Sequence, residues 1–270
     1  MQFAWRPDER ETFAMTGDQD VLVSEKDGIL VLTINRPQAK NAATLAASNI
    51  VAQALDDLDA RPDLRVAVLT GAGGTFCAGM DLKKFLQGER PTIPGRGFLG
   101  LTIRPPKKPL IAAVEGHALG GGFEAALACD LIVAASGAKF GLPEVKRGLA
   151  AMAGGLLRLP RQIPQRIAME IVLTGDMVSA DRAYELGMVN QVVDNGHAFE
   201  AALELAQRVA ANAPLSLQTA KEIVTKSRDW TNCEMFARQE VYRAPVFESD
   251  DAKEGARAFA EKRAPRWTGT

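Results

Sequence analysis

Two glutamates, Glu124 and Glu144, each follow a glycine-containing segment in an otherwise apolar stretch. Glu124 ends the run Ala-Leu-Gly-Gly-Gly-Phe-Glu, and Glu144 ends the run Phe-Gly-Leu-Pro-Glu. Consecutive glycines let the backbone approach a ligand closely with its N–H groups exposed. A carboxylate among apolar residues is costly to bury unless it has partners. The two carboxylates therefore predict a general acid/base pair beside an anion-stabilising turn.

A second glycine-rich turn lies earlier in the chain. Residues 71–81 read Gly-Ala-Gly-Gly-Thr-Phe-Cys-Ala-Gly-Met-Asp and separate a predicted strand at 66–69 from a predicted helix at 82–86. Residues 116–122 separate a strand at 110–114 from a helix at 123–129 in the same way. The first N–H groups of a helix are unpaired and lie at its positive end. One donor from each turn would make an oxyanion hole.

Simpler interpretations exist for each glutamate. A carboxylate at the position of Glu124 stabilises a helix N-terminus even without a catalytic role. Glu144 follows a proline, which is typical of a surface turn. Gly120, Gly122 and Ala125 also match a loose dinucleotide-binding fingerprint, with Glu144 as its acidic partner. In that fingerprint the acid stands at the end of the next strand, whereas Glu144 lies well beyond it. The spacing therefore disfavours a nicotinamide site.

The remaining reactive side chains have less support. His117 alternates with apolar residues, which is typical of a packed histidine, and Cys77 has no histidine near it in sequence to activate it as a nucleophile. Three cysteines without a CxxC pair and only two histidines make a metal site improbable. The sequence therefore predicts no metal.

Composition excludes several classes of partner and compartment. The chain has 270 residues, 47% of them hydrophobic, with 32 basic and 33 acidic side chains and a net charge of −1. This balance gives no reason to expect nucleic acid or an anionic membrane as a partner. The unpatterned cysteines, the charged start without a signal-peptide core and the lack of a long apolar run predict a cytoplasmic protein.

Strands and helices alternate through the first two thirds of the chain. This order predicts an α/β fold with a parallel sheet. The predicted strands are 21–23 and 29–34 (a hairpin around Asp27-Gly28), 66–69, 110–114 and 131–134, and the predicted helices are 43–60 and 123–129. The Pro/Gly-rich residues 88–109 are expected to form an irregular loop near the ligand.

The last third of the chain is predicted to be helical, with helices at 198–211, 216–227, 233–242 and 252–263. Their apolar stripes would cover the core or a sister subunit, which favours an oligomer. We therefore expect a flexible N-terminal arm (1–19), an α/β core (20–197) and a C-terminal helical region (198–270).

Three of these motifs resemble the enoyl-CoA hydratase/isomerase (crotonase) family. They are Phe-Cys-Ala-Gly-Met-Asp-Leu at 76–82, Gly-His-Ala-Leu-Gly-Gly-Gly-Phe-Glu at 116–124 and Phe-Gly-Leu-Pro-Glu at 140–144. Asn-Arg-Pro at 35–37, Asn-Ala at 41–42, Leu-Thr-Gly at 173–175 and Phe-Ala-Glu-Lys-Arg at 259–263 are similar too. The resemblance covers roughly residues 20 to 265.

The resemblance implies a spiral of ββα units followed by helices that build trimers, often paired into hexamers. It implies an acyl-CoA substrate, an oxyanion hole from the N–H groups of Met80 and Gly121, and catalysis by Glu124 and Glu144. It implies no metal and no redox cofactor, with coenzyme A entering as part of the substrate. Positions implied to contact the substrate or its CoA part are Ala78, Asp81, Leu82, Lys83, Gly120, Phe259 and Lys262.

The activity implied is that of a hydro-lyase in lipid metabolism, an enoyl-CoA hydratase that adds water reversibly and syn to a 2-enoyl-CoA. An enoyl-CoA isomerase is one alternative. Residues 151–160, Ala-Met-Ala-Gly-Gly-Leu-Leu-Arg-Leu-Pro, are closer to carnitinyl-CoA dehydratase-like members, which gives a second alternative. A non-catalytic acyl-CoA-binding protein on the same fold is an alternative of another class.

Overall fold

The structure, a computed structural model, describes residues 19–270. The predicted flexible arm over residues 1–19 lies, except for its last residue, outside the described residues. The division into a core over 20–197 and a helical region over 198–270 stays a prediction.

The larger sheet begins with the predicted hairpin. Strand β1 (Val21–Lys26) pairs antiparallel with β2 (Ile29–Ile34), and Asp27 and Gly28 in the turn both have positive φ, as a two-residue hairpin turn requires. The sheet continues through β3 (Val66–Gly71), β6 (Leu110–Val114), β8 (Leu131–Ala135) and β11 (Gln191–Val193), in the order β1-β2-β3-β6-β8-β11. All pairs after the hairpin are parallel, which confirms the predicted α/β fold.

The two smaller sheets were not predicted. One joins β4 (Thr92–Ile93) to β5 (Gly97–Phe98), so the expectation of a wholly irregular loop over 88–109 was wrong there. The other has the order β10-β9-β7, from β10 (Val178–Ser179), β9 (Lys139–Gly141) and β7 (His117–Leu119). Strands β7 and β9 are parallel, with Leu119 opposite Gly141. The segments that lead to Glu124 and Glu144 therefore leave this sheet at the same end.

The helices fill the connections between strands and then the C-terminal third. They are α1 (Leu45–Ala60), α2 (Leu82–Leu86), α3 (Gly121–Ala128), α4 (Gly155–Gln162), α5 (Gln165–Thr174), α6 (Ala180–Glu185), α7 (Ala198–Ala210), α8 (Pro214–Lys226), α9 (Met235–Glu240), α10 (Arg243–Phe247) and α11 (Asp250–Glu261). The helix predicted at 233–242 is shorter in the structure, where it corresponds to α9, and α10 is a separate helix that was not predicted. None of the helices described in residues 19–270 is long and apolar enough to cross a membrane.

Both faces of the larger sheet are covered. Side chains alternate along β2, so that Leu30 and Leu32 join the main core while Ile29 and Val31 join a second apolar layer. Helix α7 covers that second layer with Ala202 and Ala206, which are fully buried. A strand buried on both faces reads as a continuous apolar run, as these strands do.

Candidate active site

The two glycine-rich turns are hydrogen-bonded side by side. The N–H of Cys77 donates to the carbonyl of His117 at 2.9 Å, and the N–H of Leu119 donates back to the carbonyl of Cys77 at 3.0 Å. A Cβ atom on Gly79 would lie 3.4 Å from the backbone nitrogen of Gly121. The peptide entering Met80 and the start of α3 are therefore neighbours, although they come from different units of the chain.

This arrangement leaves two backbone donors in one place. Gly121 is the first residue of α3, so its N–H has no partner in the helix. Met80 forms a bridge to Ala43 that uses the N–H of Asp81 and the carbonyl of Gly79 and leaves its own N–H unused. Neither N–H donates to a described residue. Two unpaired donors at the positive end of a helix suit an oxyanion.

Glu124 lies in the first turn of α3 and is only 3% exposed. Its Oε1 accepts hydrogen bonds from the N–H groups of Ala153 at 2.7 Å and Gly155 at 2.8 Å. Burial, with a smaller contribution from the nearby charge of Glu144, raises the pKa of Glu124 to about 7, although the two N–H donors oppose the rise. The carboxyl group can thus gain or lose a proton near neutral pH.

Glu144 lies in a 3₁₀ turn over Pro143–Arg147. Its Oε2 is buried without a hydrogen-bond partner among the described residues, and a Cβ atom on Gly120 would lie 3.1 Å from its Oε1. Burial raises the pKa of this carboxyl group as well. Because Gly120 precedes the donor Gly121, the structure brings both glutamates and the Gly121 N–H to the start of α3.

The two carboxyl groups differ in their hydrogen-bond partners. Two N–H donors stabilise a negative charge on Glu124, whereas the unpartnered oxygen of Glu144 favours a neutral acid. Two interacting acids titrate as a pair, and a proton shared between them resides where the charge is least stabilised. The pair is therefore suited to share one proton, so that one carboxyl group can act as a base while the other acts as an acid.

Two side chains of this site were missed by the sequence analysis. The ring of Phe98 lies over Gly121, since a Cβ atom there would be 2.5 Å from its Cζ. The guanidinium of Arg158 donates to the carbonyl of Thr102 at 2.6 Å, and its charge acts on Glu124. For Phe98, the sequence offered one indication: residues 88–109, which include it, were expected to lie near the ligand. For Arg158 it offered none.

Of the residues predicted to contact the substrate or its CoA part, some lie at the two glycine turns and others lie away from them. Gly120 lies at the site, whereas the Asp81 carboxylate is turned into the protein, where it pairs with Arg36 at 3.0 Å and caps α2. Ala78 donates through its N–H to the carbonyl of Lys40. Leu82 and Lys83 are exposed on α2, and Phe259 and Lys262 are exposed at the end of α11, without a described contact to either glycine turn.

The described residues give no support for a cysteine nucleophile or a metal ion at this site. Cys77 is fully buried beside the first turn, and burial raises the pKa of its thiol to about 11, so it is a poor nucleophile at neutral pH. Within residues 19–270, no three His, Cys, Asp or Glu side chains are grouped in a way that could hold a metal ion.

Comparison with known proteins gives concordant results. The sequence model for enoyl-CoA hydratase/isomerase matches residues 24–270. The enoyl-CoA hydratase EchA19 of Mycobacterium tuberculosis is 43% identical over 259 residues, which cover 92% of this chain and 96% of that protein. The carnitinyl-CoA dehydratase of Salmonella typhi is 45% identical over 250 residues, covering 89% and 95%. The crystal structure of an enoyl-CoA hydratase from Mycobacterium tuberculosis H37Rv superposes with a TM-score of 0.92 at 59% identity, covering 94% of this chain and all of that one.

Proposed function

Because the chain belongs to the enoyl-CoA hydratase/isomerase family, we propose that it adds water to the double bond of a 2-enoyl-CoA thioester. The observation that carries this proposal is a buried glutamate, Glu124, and a half-buried one, Glu144, at the N-terminus of α3, beside two backbone donors without partners among the described residues. A hydration needs an anion-stabilising site, a base and an acid, and these groups supply one of each.

The N–H groups of Met80 and Gly121 are proposed to hold the thioester oxygen. Negative charge moves onto this oxygen when water attacks Cβ, and preformed donors stabilise that charge without having to reorganise. Removal of one such donor typically lowers kcat by about 10²–10³. The position of Gly121 at the positive end of α3 adds to the stabilisation.

Glu124 is proposed as the base that holds the water, and Glu144 as the acid. The water oxygen forms a bond to Cβ while one of its protons passes to Glu124. The electron pair of the double bond is delocalised onto the thioester oxygen and returns to Cα as Glu144 delivers its proton there. Transfer of a proton from Glu124 to Glu144 then restores the pair. Proton transfers of this kind contribute about 10²–10⁴-fold each.

The CoA part of the substrate is proposed to contact Ala78, Leu82, Lys83 and, from a neighbouring subunit, Phe259 and Lys262. The exposed aromatic rings in the C-terminal helices support an assembly that covers them: Phe236, Phe247 and Phe259 are 76%, 71% and 88% exposed. A trimer, or a hexamer of two trimers, is the proposed assembly. Asp81 is proposed to act inside the protein, where it holds the start of α2.

The proposed reaction needs water as its only co-reactant and involves no oxidation or reduction. We therefore propose that no metal or redox cofactor takes part. A cytoplasmic location is proposed as well. It is supported by the three cysteines, all of them free thiols, which are typical of a reducing compartment.

A carnitinyl-CoA dehydratase activity is a second candidate, favoured by the 44–45% identity to proteins of that name. The same acid/base pair would serve it, since loss of water is the reverse of hydration. The two candidates differ at the acyl end, where a carnitine-derived substrate carries a quaternary ammonium group. An isomerase is less well supported, because moving a double bond does not require a second acid.

Turnover of defined substrates tests the proposal. Purified protein is mixed with crotonyl-CoA, with a longer 2-enoyl-CoA and with crotonobetainyl-CoA, and loss of the conjugated-thioester absorbance is followed. Product mass then shows whether one water has been added. Folded protein that binds these thioesters without converting any of them would be an acyl-CoA-binding protein, and the hydratase assignment would fail.

A further inference from the structure

Arg158 occupies a position that is unfavourable for a cation. Its guanidinium folds back onto Gly154, the residue that caps the N-terminus of α4, since a Cβ atom there would lie within 2.2 Å of its Nη1. Positive charge is destabilised at the positive end of a helix. The side chain is also half-buried, and its one hydrogen bond to a described residue is to the carbonyl of Thr102, at 2.6 Å. A guanidinium in this position needs a nearby negative charge to stabilise it.

That negative charge is the carboxylate of Glu124. The N–H of Gly155, next to the cap, donates to Glu124 Oε1, so the carboxylate and the guanidinium both lie at the N-terminal end of α4. The charged and titratable groups that face Glu124 are Glu144, from the 3₁₀ turn, and Arg158. Arg158 is itself faced by the Cys129 thiol at the end of α3. Among the described residues, Arg158 is the positive group that acts on Glu124, while Arg147 acts on Glu144 and Lys221 acts on Cys129.

Arg158 also contacts the segment that packs on Gly121. Thr102, whose carbonyl accepts the hydrogen bond from Arg158, is joined to Phe98 by two further hydrogen bonds. The N–H of Phe98 donates to Thr102 Oγ1 at 2.9 Å, and the N–H of Thr102 donates to the carbonyl of Phe98. The ring of Phe98 in turn packs on Gly121. The guanidinium is therefore hydrogen-bonded to the segment that lies against the oxyanion donor, and it lies at the end of α4 whose N–H group binds Glu124.

We propose that Arg158 is a positioning residue for the hydration: its guanidinium is the counter-charge that keeps Glu124 ionised and able to hold water, and it fixes the Phe98–Thr102 segment against Gly121. This inference rests on the proposed function. It assigns no contact between Arg158 and the substrate. The role follows from the contacts of the guanidinium with Thr102 and Gly154 and from its charge facing Glu124.

The test compares the pH profiles of kcat/KM for hydration in wild-type protein, Arg158→Met and Arg158→Lys. Methionine keeps the apolar bulk and removes the charge, whereas lysine keeps the charge. We expect the acid limb of the Met variant to move up by about one pH unit, with about a tenfold loss of rate on the acid side. The Lys variant should keep the wild-type acid limb. Arg161→Met, on an exposed face of the same helix, should behave as wild type.

An acid limb that stays in place in the Met variant overturns the proposal, and so does a Lys variant whose limb moves as far as that of the Met variant. A purely structural role would lower thermal stability in both variants without moving the limb. If Arg158→Met does not fold, Arg158→Gln replaces it, and its acid limb is expected to move in the same way. Absence of hydration by wild-type protein would instead overturn the proposed function.

Discussion

The N–H of Gly155 donates a hydrogen bond of 2.8 Å to Oε1 of Glu124, which fixes the base of the pair to the start of α4. A Cβ atom at position 155 would lie 3.0 Å from Cγ of the same glutamate, so the two residues are also in tight van der Waals contact. Glu124 is therefore buried, held in one orientation and close to a second acid. Two consequences of this environment can be measured.

The first consequence is a pH-dependent activity. Burial raises the pKa of Glu124 to about 7, and a protonated Glu124 cannot accept a proton from water. We therefore expect kcat/KM for hydration to fall as the pH is lowered through about 7, because this parameter reports the ionisation of the free enzyme. A rate that is unchanged between about pH 5.5 and 8 would contradict the role of Glu124 as base.

The second consequence concerns stability. The pKa of Glu124 is raised from 4.5 to about 7 in the folded protein, so between these values the folded state keeps a proton that the unfolded chain has lost. The free energy of unfolding therefore falls as the pH rises from about 4.5 to about 7 and stays reduced above it. Glu124→Gln removes this effect and should stabilise the protein at pH 8, by up to about 3 kcal/mol relative to its effect at pH 4.

Urea denaturation at both pH values and one protein concentration measures this difference. Glu170→Gln, an exposed glutamate on α5, is the matched control and should show the same stability at both pH values as the wild type. A Glu124→Gln variant that is no more stable at pH 8 than at pH 4, relative to wild type, would contradict the assigned ionisation.

A further prediction concerns the contact between Gly121 and the ring of Phe98. A methyl group at position 121 would lie 2.5–2.9 Å from three atoms of the Phe98 ring, so Gly121→Ala must displace either the ring or the donor. We expect kcat to fall by about 10²-fold, the typical effect of one lost oxyanion donor. Phe98→Ala should restore part of that loss in the double variant. If the effects of the two changes on kcat simply add, the ring does not constrain the donor.

The sequence predicted the parts of this site that are encoded locally. The runs ending in Glu124 and Glu144 carry the glycines that open the backbone, and the parallel strand pattern explains why their segments emerge together. It did not predict β7, β9 and β10, because strands of two or three residues have no measurable periodicity. The register of Leu119 against Gly141, which juxtaposes the glutamates, depends on those strands.

Arg158 and Phe98 were missed for a different reason. Arg158 reads in sequence as a basic residue on an amphipathic helix, and only the fold shows that it turns back over Gly154. Phe98 stands in a Pro/Gly-rich stretch whose short hairpin is fixed by tertiary contacts. The resemblance implied that Asp81 contacts the substrate or its CoA part, and this stays a prediction. The sequence did not predict that the Asp81 carboxylate pairs with Arg36, because the two residues are distant in the chain.

The central claim is that Glu124 and Glu144 together add water to a carbon–carbon double bond. The most direct measurement is the rate of hydration of crotonyl-CoA and a longer 2-enoyl-CoA by wild-type protein, Glu124→Gln, Glu144→Gln and the double variant, with Glu170→Gln as control. We predict turnover by wild type and control, a loss of at least about 10²-fold in each single variant, and little further loss in the double variant. Single variants that hydrate at the wild-type rate would contradict it.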